Sequence, residues 1–514
     1  MSQHMTDAPP LDEQKKSPRL STSPAHTDEL DTDILQLDPY GIPLSPSPTT
    51  DPLDPLNWSK SQKSLILFIA CYSGFLSVYM TGTPIASFSL LEEQFNASYS
   101  MVNWTIAIPS LGLMIGPLLF SALGDRWGRR PILIGTCALT ILATGCTTIR
   151  SIGLGGYMVT RLIQGIGAGP SIVGGLSIIR DISFEHERGF MIGLWVMGLD
   201  IGGTMGCLVG GFTALANQYW AGYHVIIAYG VLLILEVFFL PETLFPRDLI
   251  LDRIRNEQSF ADINRTKMIK PWNAIEIPGV AHPRPEQGII RFCKMWSHPR
   301  LVLGVLPYVF CLYWWVLSFM TMVPAAYSSY QPEIQGLLFS GLIVGTIAAE
   351  LLTSGRLSDM ICSRLATANN NIRTPEMRLY LMYPGVVLAS VGTIIWGLSI
   401  DRQWHWITGQ VAFFLFSAGM QIGNCAVSTY IFDCYPEHIT EIMTFYAVVL
   451  NFSAFVEPWF INYWVEAVGY TWCFVTQGLI VLLLGPIYMG LQRYGSTLAK
   501  EMVFSEDEVI NLPV

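Results

Sequence analysis

A short charged loop, Gly124-Asp125-Arg126-Trp127-Gly128-Arg129-Arg130, separates two apolar runs at residues 101–123 and 131–149. Each run is long enough to cross a bilayer as a helix, which takes about 20 residues. A loop of this length forces the two helices to lie antiparallel and adjacent. Its three arginines indicate the cytoplasmic side, because cytoplasmic loops carry the excess of Lys and Arg.

A related loop recurs later in the chain, as Gly355-Arg356-Leu357-Ser358-Asp359 followed by Arg364. Three residue pairs share one spacing: Leu123 with Leu357, Asp125 with Asp359, and Arg130 with Arg364. A repeated loop at the same place in two series of apolar runs predicts an internal repeat, and therefore two similar halves.

The composition favours a polytopic membrane protein. Of the 514 residues 51% are hydrophobic and only 13% are charged, whereas soluble domains carry about 25% charged residues. The net charge of −10 lies mainly in the termini and loops, so it gives no reason to expect a nucleic acid partner. The sequence has no Walker loop and no HExxH spacing. We therefore expect no enzyme, no cofactor and no metal site.

The apolar runs number six plus six, which predicts an all-α membrane protein with twelve transmembrane helices in two six-helix bundles. The predicted regions are a disordered cytoplasmic tail (1–60), an N-terminal bundle (61–241), a cytoplasmic central loop (242–300), a C-terminal bundle (301–492) and a cytoplasmic C-terminal tail (493–514). The first tail is rich in Ser, Thr, Pro and Asp, a composition that cannot bury enough apolar surface to fold.

The distribution of basic residues predicts the orientation. With the N-terminal tail inside, all Lys and Arg except Arg150, Arg161 and Arg402 fall on the cytoplasmic side, which places both termini in the cytoplasm. The sequon Asn96-Ala97-Ser98 then lies outside, just after the first run. It makes Asn96 a candidate glycosylation site.

Two ionisable residues lie deep within apolar runs. Arg161, near Gln164, is in the fourth run, and Asp200 is about 15 Å into the fifth run at 1.5 Å per residue. Ionisable residues inside a membrane are costly and mark functional sites by default. The sequence leaves two interpretations open: proton or substrate coupling by these groups, or a structural Arg161–Asp200 ion pair.

Other polar groups in the runs are weaker candidates. Gln421, Asn424 and Asn451 could line a central cavity together with aromatic residues such as Tyr313 and Phe319, and such a pocket would suit amphipathic organic compounds. Three glutamates also fall within runs. We expect Glu236 and Glu350 near the cytoplasmic ends, where water lowers their cost, and Glu457 beside an outer vestibule.

Small residues form a regular stripe in the fifth run. Gly198, Gly202, Gly206 and Gly210 repeat every four residues, with Gly211 beside them, and such a face lets helix backbones approach closely. We expect the fifth run to pack against a helix of the other half.

Several motifs together resemble the major facilitator superfamily, and within it the fungal twelve-span drug:proton antiporters. They are Arg161-Leu162-Ile163-Gln164-Gly165-Ile166-Gly167-Ala168-Gly169-Pro170, Gly202-Gly203-Thr204-Met205-Gly206-Cys207-Leu208-Val209-Gly210-Gly211, Leu240-Pro241-Glu242-Thr243, Asp54-Pro55-Leu56-Asn57-Trp58 and Tyr430-Ile431-Phe432-Asp433-Cys434-Tyr435-Pro436. The second of these is similar to an antiporter signature, except that Cys207 stands where that signature has proline.

The resemblance implies a role for the charged loops as a latch that joins the halves in one conformation. Its candidate residues are Asp125, Arg126, Arg129, Arg130, Asp359 and Arg364. From the residues alone, the arginines could equally serve only to fix the topology.

The resemblance also implies a proton-driven exporter of drugs, toxins or secondary metabolites that works by alternating access. Its partners would be a small organic substrate, protons and the lipid bilayer, and we expect a monomer in the plasma membrane, although a vacuolar membrane fits the same topology. A proton-coupled nutrient importer and a non-transporting sensor remain as alternatives.

Overall fold

The structure, a computed structural model, describes residues 44–49, 51–245, 247, 285–353, 356–368, 374–435 and 438–498. These residues divide into two compact units, 44–47 and 48–498, and all helices lie in the second. We call residues 60–245 the first half and residues 285–498 the second half. The side chains of Asp125, Arg126 and Asp359 lie outside the described residues.

The first half contains eight α-helices. They are α1 (Lys60–Gly82), α2 (Phe88–Phe95), α3 (Tyr99–Trp127), α4 (Arg129–Thr147), α5 (Leu154–Ala168), α6 (Pro170–Ile182), α7 (Glu185–Ala214) and α8 (Trp220–Phe239). Two of them show why helices begin where they do: Ser59 caps α1 by accepting a hydrogen bond from the N–H of Gln62, and Pro170 occupies the first position of α6.

The described part of the second half contains ten α-helices. They are α9 (Pro285–Met295), α10 (Pro299–Tyr308), α11 (Trp314–Ala326), α12 (Pro332–Leu337), α13 (Ser340–Thr353), α14 (Arg356–Ala368), α15 (Met382–Asp401), α16 (Trp406–Cys434), α17 (Ile439–Leu482) and α18 (Leu484–Tyr494). A π-helical turn, Val309–Tyr313, joins α10 to α11 shortly after Pro307.

Eleven helical stretches of the described chain are long and apolar enough to cross a membrane. The last of them, Glu441–Leu498, has 58 residues and would be about 87 Å long as one helix, nearly three times a bilayer core. Gly469 interrupts it with φ 77° and ψ 167°, a backbone conformation open to glycine but strained for other residues. The stretch is therefore long enough for two crossings with a break between them.

The charged loop at residues 124–130 is even shorter than expected. Gly128 alone separates α3 from α4, with φ 100°. A Cβ at this position would lie 2.4 Å from Oε2 of Glu242, so both the backbone angle and the close carboxylate require glycine.

The glycine stripe of α7 faces the first half, although α7 also packs against α12 and α13 of the second half, as predicted. A Cβ built on Gly206 would lie 2.2 Å from the carbonyl oxygen of Tyr79, and Gly202 and Gly210 approach α1 in the same way. The stripe packs the fifth run against the first run of the same half. Gly211, one residue beyond the stripe, does face the second half, where its Cβ would lie 2.5 Å from the carbonyl oxygen of Pro332.

Candidate functional site

A cavity of about 90 Å³ lies between the two halves. The first half contributes α1, α6 and α7, and the second half contributes α11, α13, α16 and α17. Most lining side chains are apolar, and Asp200 is the only charged group among the described residues that line it. The cavity thus combines an apolar wall with one carboxyl group, near the point where the halves meet.

Three of the residues predicted from the sequence line this cavity with Asp200: Tyr313, Asn424 and Asn451. The position of Tyr313 follows from the local backbone. Pro307 cannot donate a helical hydrogen bond, and the π-turn that follows ends at Tyr313. Single π-turns inside helices are frequent at functional sites.

Asp200 is held by the second half. Nδ2 of Asn424 donates to Oδ2 of Asp200 at 2.8 Å. The oxygen of Asn424 accepts from the hydroxyl of Tyr446 at 2.7 Å and from Oγ of Ser428 at 3.3 Å, and these bonds fix the orientation of the amide. Sequence reasoning missed Tyr446, which is one of many tyrosines in apolar runs and has no distinctive spacing.

Gln421 does not line the cavity but lies one helical turn from Asn424. Its Nε2 donates to Oε2 of Glu350 at 2.7 Å. Glu350 is only 7% exposed, so the expectation that it sits in a hydrated end of its helix is wrong. Sequence reasoning missed this contact, because the spacing of Gln421 and Asn424 within one helix does not identify a partner on another helix.

Arg161 lies in a different place from Asp200, so the structure excludes the ion pair that was one of the two interpretations left open by the sequence. The guanidinium group, 3% exposed, donates to the carbonyl oxygens of Met80, Thr81 and Thr105 at 3.0–3.3 Å. It also donates to Oε1 of Gln164 at 2.6 Å. All these partners belong to the first half, where Arg161 and Gln164 line a separate cavity of about 20 Å³.

The amide of Gln164 extends this arrangement. Its Nε2 donates to Oγ1 of Thr144 at 2.8 Å, so Arg161 and Gln164 together connect α1, α3, α4 and α5. A buried cation whose hydrogen bonds all go to neutral groups is unusual, because burial of an unpaired charge is costly.

The remaining buried glutamates lie away from the cavity. Glu457 is fully buried and accepts from Oγ of Ser318 at 2.7 Å, so it does not line an outer vestibule as expected. Glu236 is 1% exposed, again in contrast to the expected hydrated position. Phe319 packs within an aromatic cluster of the second half rather than at the cavity.

The hydrogen bonds described for Arg129 and Arg130 lie within the first half. Nε of Arg129 lies 2.5 Å from Oδ2 of Asp181. Glu242 accepts hydrogen bonds from the backbone N–H groups of Arg129 and Arg130 at 3.0 and 3.1 Å, where a carboxylate is favoured because these groups begin α4. Arg130 also donates to the carbonyl oxygen of Val237.

The structure describes only some of the side chains of the predicted latch. Arg364 is exposed in the second half, whereas the side chains of Asp125, Arg126 and Asp359 lie outside the described residues. Sequence reasoning missed Asp181 and Glu242 as partners, although Glu242 belongs to the motif that follows the sixth run.

The segment before α1 is tied to the end of α8. The buried carboxyl of Asp54 accepts from the N–H groups of Thr49 and Leu56 and from the guanidinium of Arg247 at 2.9 Å. Burial raises the pKa of this carboxyl, but the hydrogen bonds and the charge of Arg247 outweigh burial and hold the pKa below its ordinary value of 3.8.

Two contacts join the halves at the end of α3 away from the charged loop. The hydroxyl of Tyr99 donates to the carbonyl oxygen of Thr321 at 2.6 Å. The rings of Trp104 and Trp459 stack with centroids 4.6 Å apart. The candidate glycosylation site Asn96 is exposed at the end of α2, with φ 47°, and its modification stays a prediction.

Comparison with known proteins identifies the fold. The family model described as Major Facilitator Superfamily matches residues 70–458. The MFS transporter cpaT of Aspergillus oryzae is 25% identical over 456 residues, which cover 87% of this chain and 89% of cpaT. The probable efflux pump mfs2 of Aspergillus flavus is 25% identical over 427 residues, which cover 80% of this chain and 97% of the pump.

A solved structure agrees with this assignment. The xylose transporter XylE from E. coli, in a partially occluded inward open conformation, has a TM-score of 0.60 and 16% sequence identity, and the match covers 85% of this chain and 98% of XylE. At this identity the likeness concerns the fold alone. The matched family model extends over most of the chain, and the chain therefore belongs to the Major Facilitator Superfamily of multi-pass membrane transporters, which are not enzymes.

Proposed function

We propose that the chain exports small organic molecules, such as drugs, toxins or secondary metabolites, in exchange for protons. The observation that carries this proposal is the carboxyl group of Asp200, which belongs to the first half, lines an otherwise uncharged cavity and is hydrogen-bonded to Asn424 of the second half. A group in this position can sense both the substrate and the relative position of the halves.

The cavity supports the choice of substrate class. Its wall combines methionine and tyrosine side chains with a few amides and hydroxyls, a lining that suits amphipathic compounds. Its volume of about 90 Å³ is below the roughly 300–1,000 Å³ of typical ligand pockets. Binding therefore requires the halves to move apart on one side, as alternating access demands.

Export driven by protons fits both chemistry and relatives. The name of mfs2 describes an efflux pump, and inward proton movement supplies about 2.3 kcal/mol per charge for each 100 mV of membrane potential. In this proposal Asp200 carries the proton, and Asn424 and Asn451 contact the substrate. Arg161 and Gln164 form a polar core within the first half, and their hydrogen bonds stay intact while the helices of that half move together.

The proposal includes a topology of twelve crossings, with the 58-residue stretch at the end of the described chain counted as two. Both termini and the 242–300 loop lie in the cytoplasm, because the basic residues cluster there. The charged loops act as a latch on that side, and the protein works as a monomer in the plasma membrane.

The test is the loss of fluorescent amphipathic dyes, both cationic and neutral, from cells that express the chain. We expect faster loss with the wild type, abolished by a protonophore and reduced at least tenfold by Asp200→Asn. The matched control is Glu236→Gln, which neutralises a buried carboxyl group away from the cavity and should retain export. Accumulation instead of loss would indicate an importer, and no flux of any compound would favour a sensor.

A further inference from the structure

A half-buried carboxyl group, Asp200, and a buried one, Glu350, meet neighbouring amides on one side of α16. Gln421 and Asn424 are three residues apart and therefore project from the same side of the helix. Asn424 donates to Asp200 of α7 at 2.8 Å, and Gln421 donates to Glu350 of α13 at 2.7 Å. Helix α16 thus holds one carboxyl group from each half.

The two carboxyl groups are close enough to interact. Asp200 interacts electrostatically with Glu350, and Gln421, which donates to Glu350, also lies near Asp200. The amide nitrogen of Gln421 carries two N–H groups, one of which binds Glu350. Its oxygen has no hydrogen-bond partner among the described residues, which leaves the carboxyl groups as the polar contacts that orient this amide.

Described basic residues do not compensate these acids. Neither carboxyl has a Lys, Arg or His hydrogen-bond partner in the described part of the chain, and Glu350 is the one charged group there that interacts with Asp200. Helix α13 packs against α7, α16 and α14, and the side chains of Arg356 and Asp359 on α14 lie outside the described residues. Besides Glu350, the titratable groups near Asp200 in the described part of the chain are the phenols of Tyr308, Tyr313 and Tyr446.

Like charges this close and this deep cannot both be ionised at little cost. Transfer of each carboxylate from water is penalised, and their mutual repulsion adds to that penalty. Neutral amides offset only part of it. When two acids interact in this way, their protons leave in two steps that belong to the pair.

We propose that Asp200 and Glu350 form one proton-binding site that spans the two halves, with Glu350 as a second proton carrier. The inference rests on the proposed function, because it names the groups that couple protons to transport. Each step is the capture of a proton from hydronium by a carboxylate, which leaves water and a neutral carboxylic acid. The second proton leaves when α7 and α16 separate, because separation breaks the bond to Asn424 and admits water.

The test is a pH titration of the full-length protein in lipid nanodiscs, followed by infrared difference spectroscopy of the C=O stretch of protonated carboxyl groups. The wild type should lose the signal of this pair in two steps. Asp200→Asn and Glu350→Gln should each remove the upper step and leave one step near the lower position, because a neutral side chain imitates a protonated partner.

The control is Glu236→Gln, which removes a carboxyl group elsewhere and should leave both steps of the pair. Survival of the upper step in Glu350→Gln would overturn the shared site. Each isosteric variant decides the question alone, so failure of one to fold does not remove the test. Circular dichroism and gel filtration establish that a variant is folded.

Transport in reconstituted vesicles separates this inference from the proposed function. Proton uptake is recorded while a dye exported by the wild type moves. Glu350→Gln should still bind the dye, because Glu350 does not line the cavity, but should lose at least half of the protons moved per dye. Coupled titration without any flux would reject proton-driven export and keep the shared site, whereas unchanged stoichiometry in Glu350→Gln would reject Glu350 as a carrier.

Discussion

Replacement of Gly206 by alanine should destabilise the first half by an amount that the structure sets. The new Cβ would lie 2.2 Å from the carbonyl oxygen of Tyr79. A Cβ at Gly198, by contrast, would lie 3.4 Å from the carbonyl oxygen of Cys71, which is an ordinary contact distance. Helices α1 and α7 must therefore separate by about 1.2 Å locally, which follows from 3.4 − 2.2. Overpacking of this kind costs about 1–3 kcal/mol.

Gly198→Ala is the matched control, because Gly198 lies on the same stripe of the same helix. Alanine gains up to about 1 kcal/mol over glycine in a helix, and this gain is common to both variants. The difference between them isolates the close approach, so Gly206→Ala should unfold about 1–3 kcal/mol more easily than Gly198→Ala. Unfolding of the purified protein by dodecyl sulfate, followed by circular dichroism, measures both free energies.

Equal free energies of unfolding would refute the reasoning, since they would show that α1 and α7 do not approach this closely. If Gly206→Ala altered only the balance between conformations and left stability unchanged, the stripe would face the other half during the transport cycle.

Three further predictions concern single contacts. Tyr99→Phe removes the hydrogen bond to Thr321, which joins the halves. Cysteines placed in the cavity near this contact should then react with a charged thiol reagent about two- to tenfold faster, which corresponds to the loss of about 0.5–1.5 kcal/mol. Unchanged reaction rates would contradict this prediction. Asp54→Asn should lower the free energy of unfolding by about 2 kcal/mol at pH 7. Because the pKa of Asp54 is lowered in the folded protein, the wild type has this advantage above pH 3.8 and loses it as the pH falls further; a constant difference would contradict the role of the carboxylate. Gly469→Ala should cost about 1–2 kcal/mol in the same unfolding assay, and a neutral effect would show that the break needs no positive φ.

The sequence was sufficient to predict the family and the all-helical membrane fold, because both depend on local patterns. The apolar run at 101–123 predicted a helix that the structure places at Tyr99–Trp127. Hydropathy and charge are read from consecutive residues and identify the spans and their orientation. The thickness of the bilayer then sets the length of each helix. The 58-residue stretch contains two predicted runs, 442–464 and 471–492, and the backbone break at Gly469 lies between them.

Partners across helices were not predictable in the same way. Arg161 and Asp200 each lie deep in a run, and charge complementarity made a pair between them one of two interpretations. The structure instead surrounds Arg161 with carbonyl oxygens and binds Asp200 to Asn424. Successive residues of a helix point about 100° apart. The spacing of residues within one run does not show how that helix is rotated against its neighbours, so it does not identify partners on other helices.

The helix that packs on the glycine stripe was not predictable for a related reason. A small-residue face predicts close packing but does not name the helix that packs there. The observed contact with α1 makes the first half tight, whereas the halves meet through contacts such as the Tyr99–Thr321 and Asp200–Asn424 hydrogen bonds.

This contrast bears on how the proposed transport cycle would proceed. A Cβ built on Gly206 would lie only 2.2 Å from the carbonyl oxygen of Tyr79. Because α1 and α7 are packed this closely, they have no room to rearrange, and the first half should move as a unit. A hydrogen bond contributes only about 0.5–1.5 kcal/mol net, so rupture of Tyr99–Thr321 and Asp200–Asn424 is within the few kcal/mol that separate conformations of a working protein. Protonation of Asp200 removes the charge that Asn424 holds, and it thereby weakens the contact between the halves at the point where the substrate would bind.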